Sequence, residues 1–154
     1  METIVAALGG TVWTVAFFVT ALSVIVFVHE YGHYIVGRWS GIHSEVFSIG
    51  FGPVLFSRTD RRGTRWQVAA IPFGGYVKFL GDADASSVKK ADVSGLSAAE
   101  RRHTMAGAPL WARTATVAAG PVFNFILTFA LLAGLALAVG VPREEPTVGA
   151  MRAF

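Results

Sequence analysis

Residues 29–33 read His29-Glu30-Tyr31-Gly32-His33, two imidazoles and a carboxylate in the spacing H-E-x-x-H. On a helix, positions four apart share a face, so both imidazoles can reach one metal ion. Glu30 stands beside the first imidazole, placed to take a proton from a water on that metal. Zn2+ lowers the pKa of such a water toward about 7, which makes it a nucleophile at neutral pH. The chemistry this implies is hydrolysis, with Glu30 as the base that later returns the proton to a leaving amine. The chain has no cysteine, so thiolate chemistry and disulfides are excluded and any metal must take nitrogen and oxygen ligands.

Two histidines do not complete a catalytic zinc site, which ordinarily has three protein ligands and a water. The remaining histidines, His43 and His103, lie in polar segments, as do Asp60, Asp82, Asp84 and Asp92. The second apolar stretch holds no carboxylate. The third ligand is therefore expected beyond Phe154.

The elements that must position these residues belong to a membrane protein. Hydrophobic residues make up 53% of the 154 and charged residues 15%, with a mean hydropathy of +0.54. No charged side chain occurs from Thr3 to Val28 or from Thr114 to Pro142. Each stretch exceeds the roughly 20 apolar residues that span a bilayer core of about 30 Å. A signal peptide is the alternative for the first. It is disfavoured by Glu2, by the lack of an N-terminal Lys or Arg, and by an apolar run that continues past His33 to Gly37.

The reading is a mainly α membrane protein, with two transmembrane helices and a small membrane-associated β-sheet between them. Residues 1–37 form the first transmembrane helix, with Gly37 and Gly41 as terminators, and residues 109–142 the second. Pro121 lacks the N–H that Val117 needs, so a kink or break is expected there. Between the helices, residues 43–80 alternate polar and apolar with Gly and Pro turns and read as about four short strands. Residues 81–95 are polar and read as a mobile loop. Ser97 and Glu100 have capping-box spacing, which places a short helix over 96–107. Eleven of the 13 Lys and Arg residues fall between Arg38 and Arg113. By the positive-inside rule, residues 38–108 are cytoplasmic and the N-terminus faces outward. This basic excess points to the lipid bilayer surface and not to nucleic acid.

Two further features bear on substrate. Asn124 is a polar residue about one turn beyond Gly120-Pro121 in an apolar helix. It either bonds a neighbouring helix, or holds the substrate backbone or stabilises an oxyanion near the metal. Gly74 and Gly75 lie in a stretch, residues 65–79, that reads as a sheet edge. A helix hides its peptide bonds, so a protease must take its substrate extended, and such an edge can add it as a further strand.

Four motifs in order, His29–His33, Phe47-Ser48-Ile49-Gly50-Phe51-Gly52-Pro53, Ile71-Pro72-Phe73-Gly74-Gly75-Tyr76-Val77-Lys78 and Ala119-Gly120-Pro121-Val122-Phe123-Asn124-Phe125, closely resemble the bacterial site-2 proteases over nearly the whole chain. H-E-x-x-H alone is shared with many zinc proteases; the ordered set is specific. The resemblance implies an intramembrane zinc metalloprotease of the bacterial inner membrane, with zinc on His29 and His33 and Glu30 as general base. It implies a third ligand, an Asp on a later transmembrane helix. It also implies a PDZ domain outside the cytoplasm, for which residues 143–154 look like the entry. The chain then reads as an N-terminal portion that hydrolyses little when isolated. The substrates implied are single-pass membrane proteins, including anti-sigma factors. The competing reading is a non-catalytic membrane adaptor or metal-binding element, which needs the two histidines but not Glu30. No residue pattern speaks to oligomeric state.

Overall fold

A computed structural model describes residues 2–82 and 95–140. Helix α1 spans Glu2–Trp39, strand β1 Ser44–Thr59, strand β2 Arg65–Phe79, the short helix α2 Ala98–Arg102 and helix α3 Leu110–Val139. Helices α1 and α3 pack on each other, and the sheet lies against α1.

Both long helices are long and apolar enough to cross a membrane, with mean hydropathies of 2.3 over Gly9–Trp39 and 2.4 over Leu110–Val139. Thirty residues at 1.5 Å each make a rod of about 45 Å, longer than a hydrocarbon core. Their outer faces carry large exposed apolar side chains, among them Phe17, Phe18, Phe125, Phe129 and Leu137. The hydroxyls of Thr14, Thr20 and Ser23 donate to carbonyls one turn back, at 2.9, 2.8 and 2.8 Å. These three hydroxyls are thus satisfied within the helix, as a lipid surrounding demands.

Two helix ends differ from the sequence reading, and the expected break at Pro121 does not occur. Helix α1 runs through Gly37, which is needed there for closeness: a Cβ at Gly37 would lie 2.6 Å from the Phe79 ring and 3.1 Å from the Thr116 methyl. The chain leaves the helix at Gly41, where φ is +84°. Helix α3 passes Pro121 without a break; in a packed pair of apolar helices, neighbouring groups compensate one missing hydrogen bond. The capping box is present, with Ser97 Oγ accepting from the Glu100 N–H and Glu100 accepting from the Ser97 N–H. The helix it starts ends at Arg102, short of Gly107. There the Thr104 hydroxyl donates to the Arg101 carbonyl and accepts from the Gly107 N–H, so the chain turns. Most of the loop expected over 81–95, and residues 143–154, lie outside the described residues.

The four short strands expected over 43–80 are two long ones, paired antiparallel and each bent at its glycines. Gly50 and Gly52 have φ of +86° and +83°, which bends β1 without ending it. Residues 54–59 pair with 65–69 across a turn in which Asp60 accepts from the N–H groups of Arg62 and Thr64 and from the Trp66 indole. Residues 44–49 pair with 75–79. The bend also sets 46–49 beside 65–68, with the numbers rising in the same sense. Consequently the first half of β2 is flanked by β1 on both sides, whereas among the described residues its second half, Gly75–Phe79, has a strand on one side only. The edge expected over 65–79 is confined to that half.

Phe47 joins sheet to helix. It is fully buried, stacked on Trp66 at 4.4 Å between ring centroids and meeting Tyr34 and Phe27 of α1 edge-on at 5.8 and 5.7 Å. A second apolar cluster, Ile42, Phe79, Ala108 and Ala112 with Val77 and Met105 against it, closes the polar end of the helix pair. Replacing Phe47 by Ala is expected to destabilise the fold by about 3–5 kcal/mol through loss of contacts and a cavity. Thermal unfolding of the detergent-solubilised full-length protein, followed by near-ultraviolet circular dichroism, checks this; an unchanged midpoint would mean the sheet does not lean on α1.

Candidate active site

Helix α1 presents His29, Glu30 and His33 near its polar end, where α3 crosses closest. The crossing is made of small residues. A Cβ on Gly32 would sit 2.6 Å from the Ala119 carbonyl oxygen and 2.9 Å from the Phe123 ring. Small residues let membrane helices approach backbone to backbone, where dispersion contacts replace the hydrophobic drive that lipid removes. Side chains on this seam therefore meet the backbone of α3 directly.

The two imidazole rings lie 4.8 Å apart, nearly perpendicular at 80°. Both point Nε2 at the same place. A Cβ on Gly120 would be 2.7 Å from His29 Nε2 and would collide with His33 Nε2. The missing side chain of Gly120 thus leaves the space that the two Nε2 atoms share against the backbone of α3.

Each ring is held from behind by α3. His33 Nδ1 lies 2.8 Å from the Thr116 carbonyl. A carbonyl only accepts, so Nδ1 carries the proton and Nε2 keeps its lone pair. His29 Nδ1 lies 3.2 Å from the Asn124 side-chain amide nitrogen, while Asn124 Oδ1 is buried without a partner. Turning the amide over satisfies that oxygen with a His29 Nδ1–H and frees Nε2 of His29 as well. Amide orientation follows the hydrogen-bond network, and this one favours the turned form. Such support behind a ligand fixes its tautomer and direction.

Glu30 is anchored to the sheet. Its carboxylate faces the Val77 N–H, and its Cγ is 3.1 Å from where a Gly75 Cβ would stand. Gly75 is required for this approach, because the same Cβ would also be 2.7 Å from the Ser48 carbonyl oxygen. A cavity of about 300 Å3 opens here, lined by Glu30, His33, Tyr76, Asp82 and Thr116 among others. Burial in it pushes the Asp82 carboxyl above its usual range, partly offset by the Phe79 N–H. The edge Gly75–Phe79, whose Val77 N–H faces Glu30, therefore borders the same cavity.

The pair of imidazole donors suits zinc. Among the described residues, no group of three or more His, Cys, Asp or Glu side chains converges to hold a metal; His29 and His33 could supply two donors to one. His43 and His103 line a different cavity. Gly74, with φ of +142°, packs against the Phe51 ring and not against Glu30. Asn124 does reach a neighbouring helix, at His29. Sequence reasoning missed Thr116, Val77 and Asp82. It gave Gly120 a place beside Pro121 and in the motif of the second span, but no role at the histidines.

The sequence profile of peptidase family M50 matches residues 17–153. The chain belongs to peptidase family M50. An Agrobacterium fabrum protein provisionally named a zinc metalloprotease is 54% identical over 99% of this chain and 41% of its own length. A Rhizobium meliloti protein with the same provisional naming is 51% identical over 88% of the chain and 37% of its own length. The regulator of sigma-E protease RseP of Salmonella typhimurium is 45% identical over 89% of the chain and 28% of its own length. The chain thus spans about two-fifths or less of these M50 relatives.

If the histidine pair and its supports hold a metal, Asn124→Ala in the full-length protein is expected to weaken zinc binding about 10–100-fold. Gly120→Ala should do at least as much by filling the space the Nε2 atoms share. Competition against a chromogenic chelator measures both, and wild-type affinity in the two variants would remove the pair as the metal site.

Proposed function

We propose that this M50 chain carries the zinc-binding half of an intramembrane endopeptidase that cuts the transmembrane segment of a single-pass membrane protein. The observation that supports it most is the convergence of two imidazole Nε2 atoms over Gly120, between two membrane-length helices, with Glu30 adjacent. His29 and His33 would hold the metal with a third donor from elsewhere in the full-length protein. Bound zinc supplies Lewis acidity toward water and the scissile carbonyl. Glu30 removes a proton at its carboxylate and delivers it to the departing nitrogen. Thr116 and Asn124 keep the imidazoles aimed.

The edge Gly75–Phe79 gives the substrate a place to lie extended. Its backbone groups would pair with an unwound substrate segment, bringing one peptide bond to the cavity that Glu30 lines. The basic stretch between the helices supports an inner-membrane protein with residues 38–108 in the cytoplasm and the N-terminus outside. The name of the Salmonella relative, a regulator of sigma-E protease, supports an anti-sigma factor as substrate. A PDZ-like domain after α3, outside the cytoplasm, belongs to the same reading.

Glu30→Gln in the full-length protein is expected to lower cleavage of a tagged single-pass substrate by about 10²–10⁴-fold, with membrane insertion and zinc content unchanged. Immunoblotting of substrate turnover reads this directly. Undiminished cleavage would remove Glu30 as the base, and unchanged physiological function without cleavage would favour the adaptor reading. A proline at Tyr76 offers a separate check, since it disrupts the edge strand while leaving the metal site intact: cleavage should fall at least tenfold with zinc retained.

A further inference from the structure

One wall of the cavity beside Glu30 is apolar and takes no part in moving protons. Residues two apart on a strand share a face, and in β2 each face is identified by its partners. Val77 lies opposite Phe47, which meets Tyr34 and Phe27 of α1. Tyr76 lies opposite Ser48 on the other face, where its hydroxyl accepts from Gln67 Nε2 at 3.1 Å. Gly75, Val77 and Phe79 therefore turn toward the helix pair. The Phe79 ring does so visibly, seated against Gly37 where the Thr116 methyl also comes close.

Met105, in the connection from α2 to α3, closes this wall. Its backbone is tied to the end of β2: the Met105 N–H donates to the Leu80 carbonyl at 3.1 Å, and the Leu80 N–H to the His43 carbonyl at 2.8 Å. Met105 and Val77 are half-buried, packed on the cluster that contains Phe79. Val77, Phe79, Met105 and Val117 of α3 all line the cavity of about 300 Å3 that Glu30 lines. Met105 and Val117 also line a groove of about 410 Å3 on the outside of α3, with Leu110 and Thr114. They are thus the partition between the cavity and the outer surface. A methionine is unbranched and flexible, so one side of this partition can adjust.

A substrate strand added at the edge Gly75–Phe79 repeats the alternation of β2. Side chains directly opposite one another on paired strands lie on the same face. The substrate residue opposite Val77 therefore sends its side chain toward the helix pair, into the space bordered by Met105, Val117 and Glu30. An acidic side chain there would meet Glu30 and Asp82, which line the same cavity, and like charges in one site repel. We propose that this cavity is a specificity subsite for one apolar substrate side chain beside the scissile bond, and that Met105 sets the size it accepts. The proposal rests on the endopeptidase reading.

The test uses the zinc-loaded full-length protein in detergent and a tagged single-pass substrate whose cleavage site is located by mass spectrometry. Residues around the cut are replaced in turn by Ala, Leu, Phe, Asp and Lys, and kcat/KM is measured for each. The wild type is expected to prefer an apolar residue at one position. Met105→Ala should raise the ratio of kcat/KM for Phe over Ala at that position about tenfold, and Val117→Phe should lower it about as much. Leu110→Ala, which trims the outer groove alone, should leave the ratio unchanged. Val117 is 60% exposed, so its replacement spares the core and decides the question if Met105→Ala does not fold. A shift in the stated direction in either variant supports the subsite. An unchanged ratio in every folded variant, or a wild-type preference for Asp or Lys, overturns it and leaves the endopeptidase reading standing. No cleavage of any substrate by the wild type overturns both.

Discussion

Two imidazoles and a carboxylate inside an apolar span must find their hydrogen-bond partners within the protein, because lipid offers none. The rest of the structure answers that demand. His33 takes the Thr116 carbonyl, His29 takes Asn124, and Glu30 faces the Val77 amide. Each partner comes from a different turn of α3 or from the sheet, so the packing of α1 against both is a condition of having the site at all.

The small residues of the seam follow from this. A helix pair separated by ordinary side chains would leave the imidazoles a full layer away from the backbone of α3. Gly32 and Gly120 remove that layer on opposite sides of the crossing, one letting the backbones meet and the other leaving room for the Nε2 atoms. The sheet is drawn in by the same logic. Gly75 brings an edge strand to Glu30, and Phe47 with Trp66 and Tyr34 fastens that sheet to α1 on its far side. Family M50 membership and the provisional naming of the relatives as zinc metalloproteases agree with the donor set at the seam.

Much of this was legible in the chain before its fold. The two charge-free runs read as spans because length and composition alone decide that question. H-E-x-x-H read as two imidazoles on one helix face, which the 4.8 Å ring spacing bears out, because local periodicity suffices. The capping box of Ser97 and Glu100 was legible for the same reason. What stayed hidden is non-local. The bend that folds β1 back beside β2 depends on positive φ at Gly50 and Gly52, and a glycine's composition signal does not say whether it bends a strand or ends it. Gly37 looked like a stop, because its real role, receiving the Phe79 ring, involves a residue 42 positions away. Thr116 serves through its carbonyl, which every residue has, so no side-chain pattern could mark it.

The space at Gly120 sets an asymmetry in how this sequence can vary. On the outward faces of α1 and α3, one apolar residue can stand in for another as long as the surface stays oily. At position 120 even the smallest enlargement, a single methyl, intrudes on both imidazoles. Drift should therefore run freely around the circumference of the helix pair and halt along one narrow line, and a survey of natural variants would trace that line as a thread of glycine and alanine through otherwise interchangeable residues.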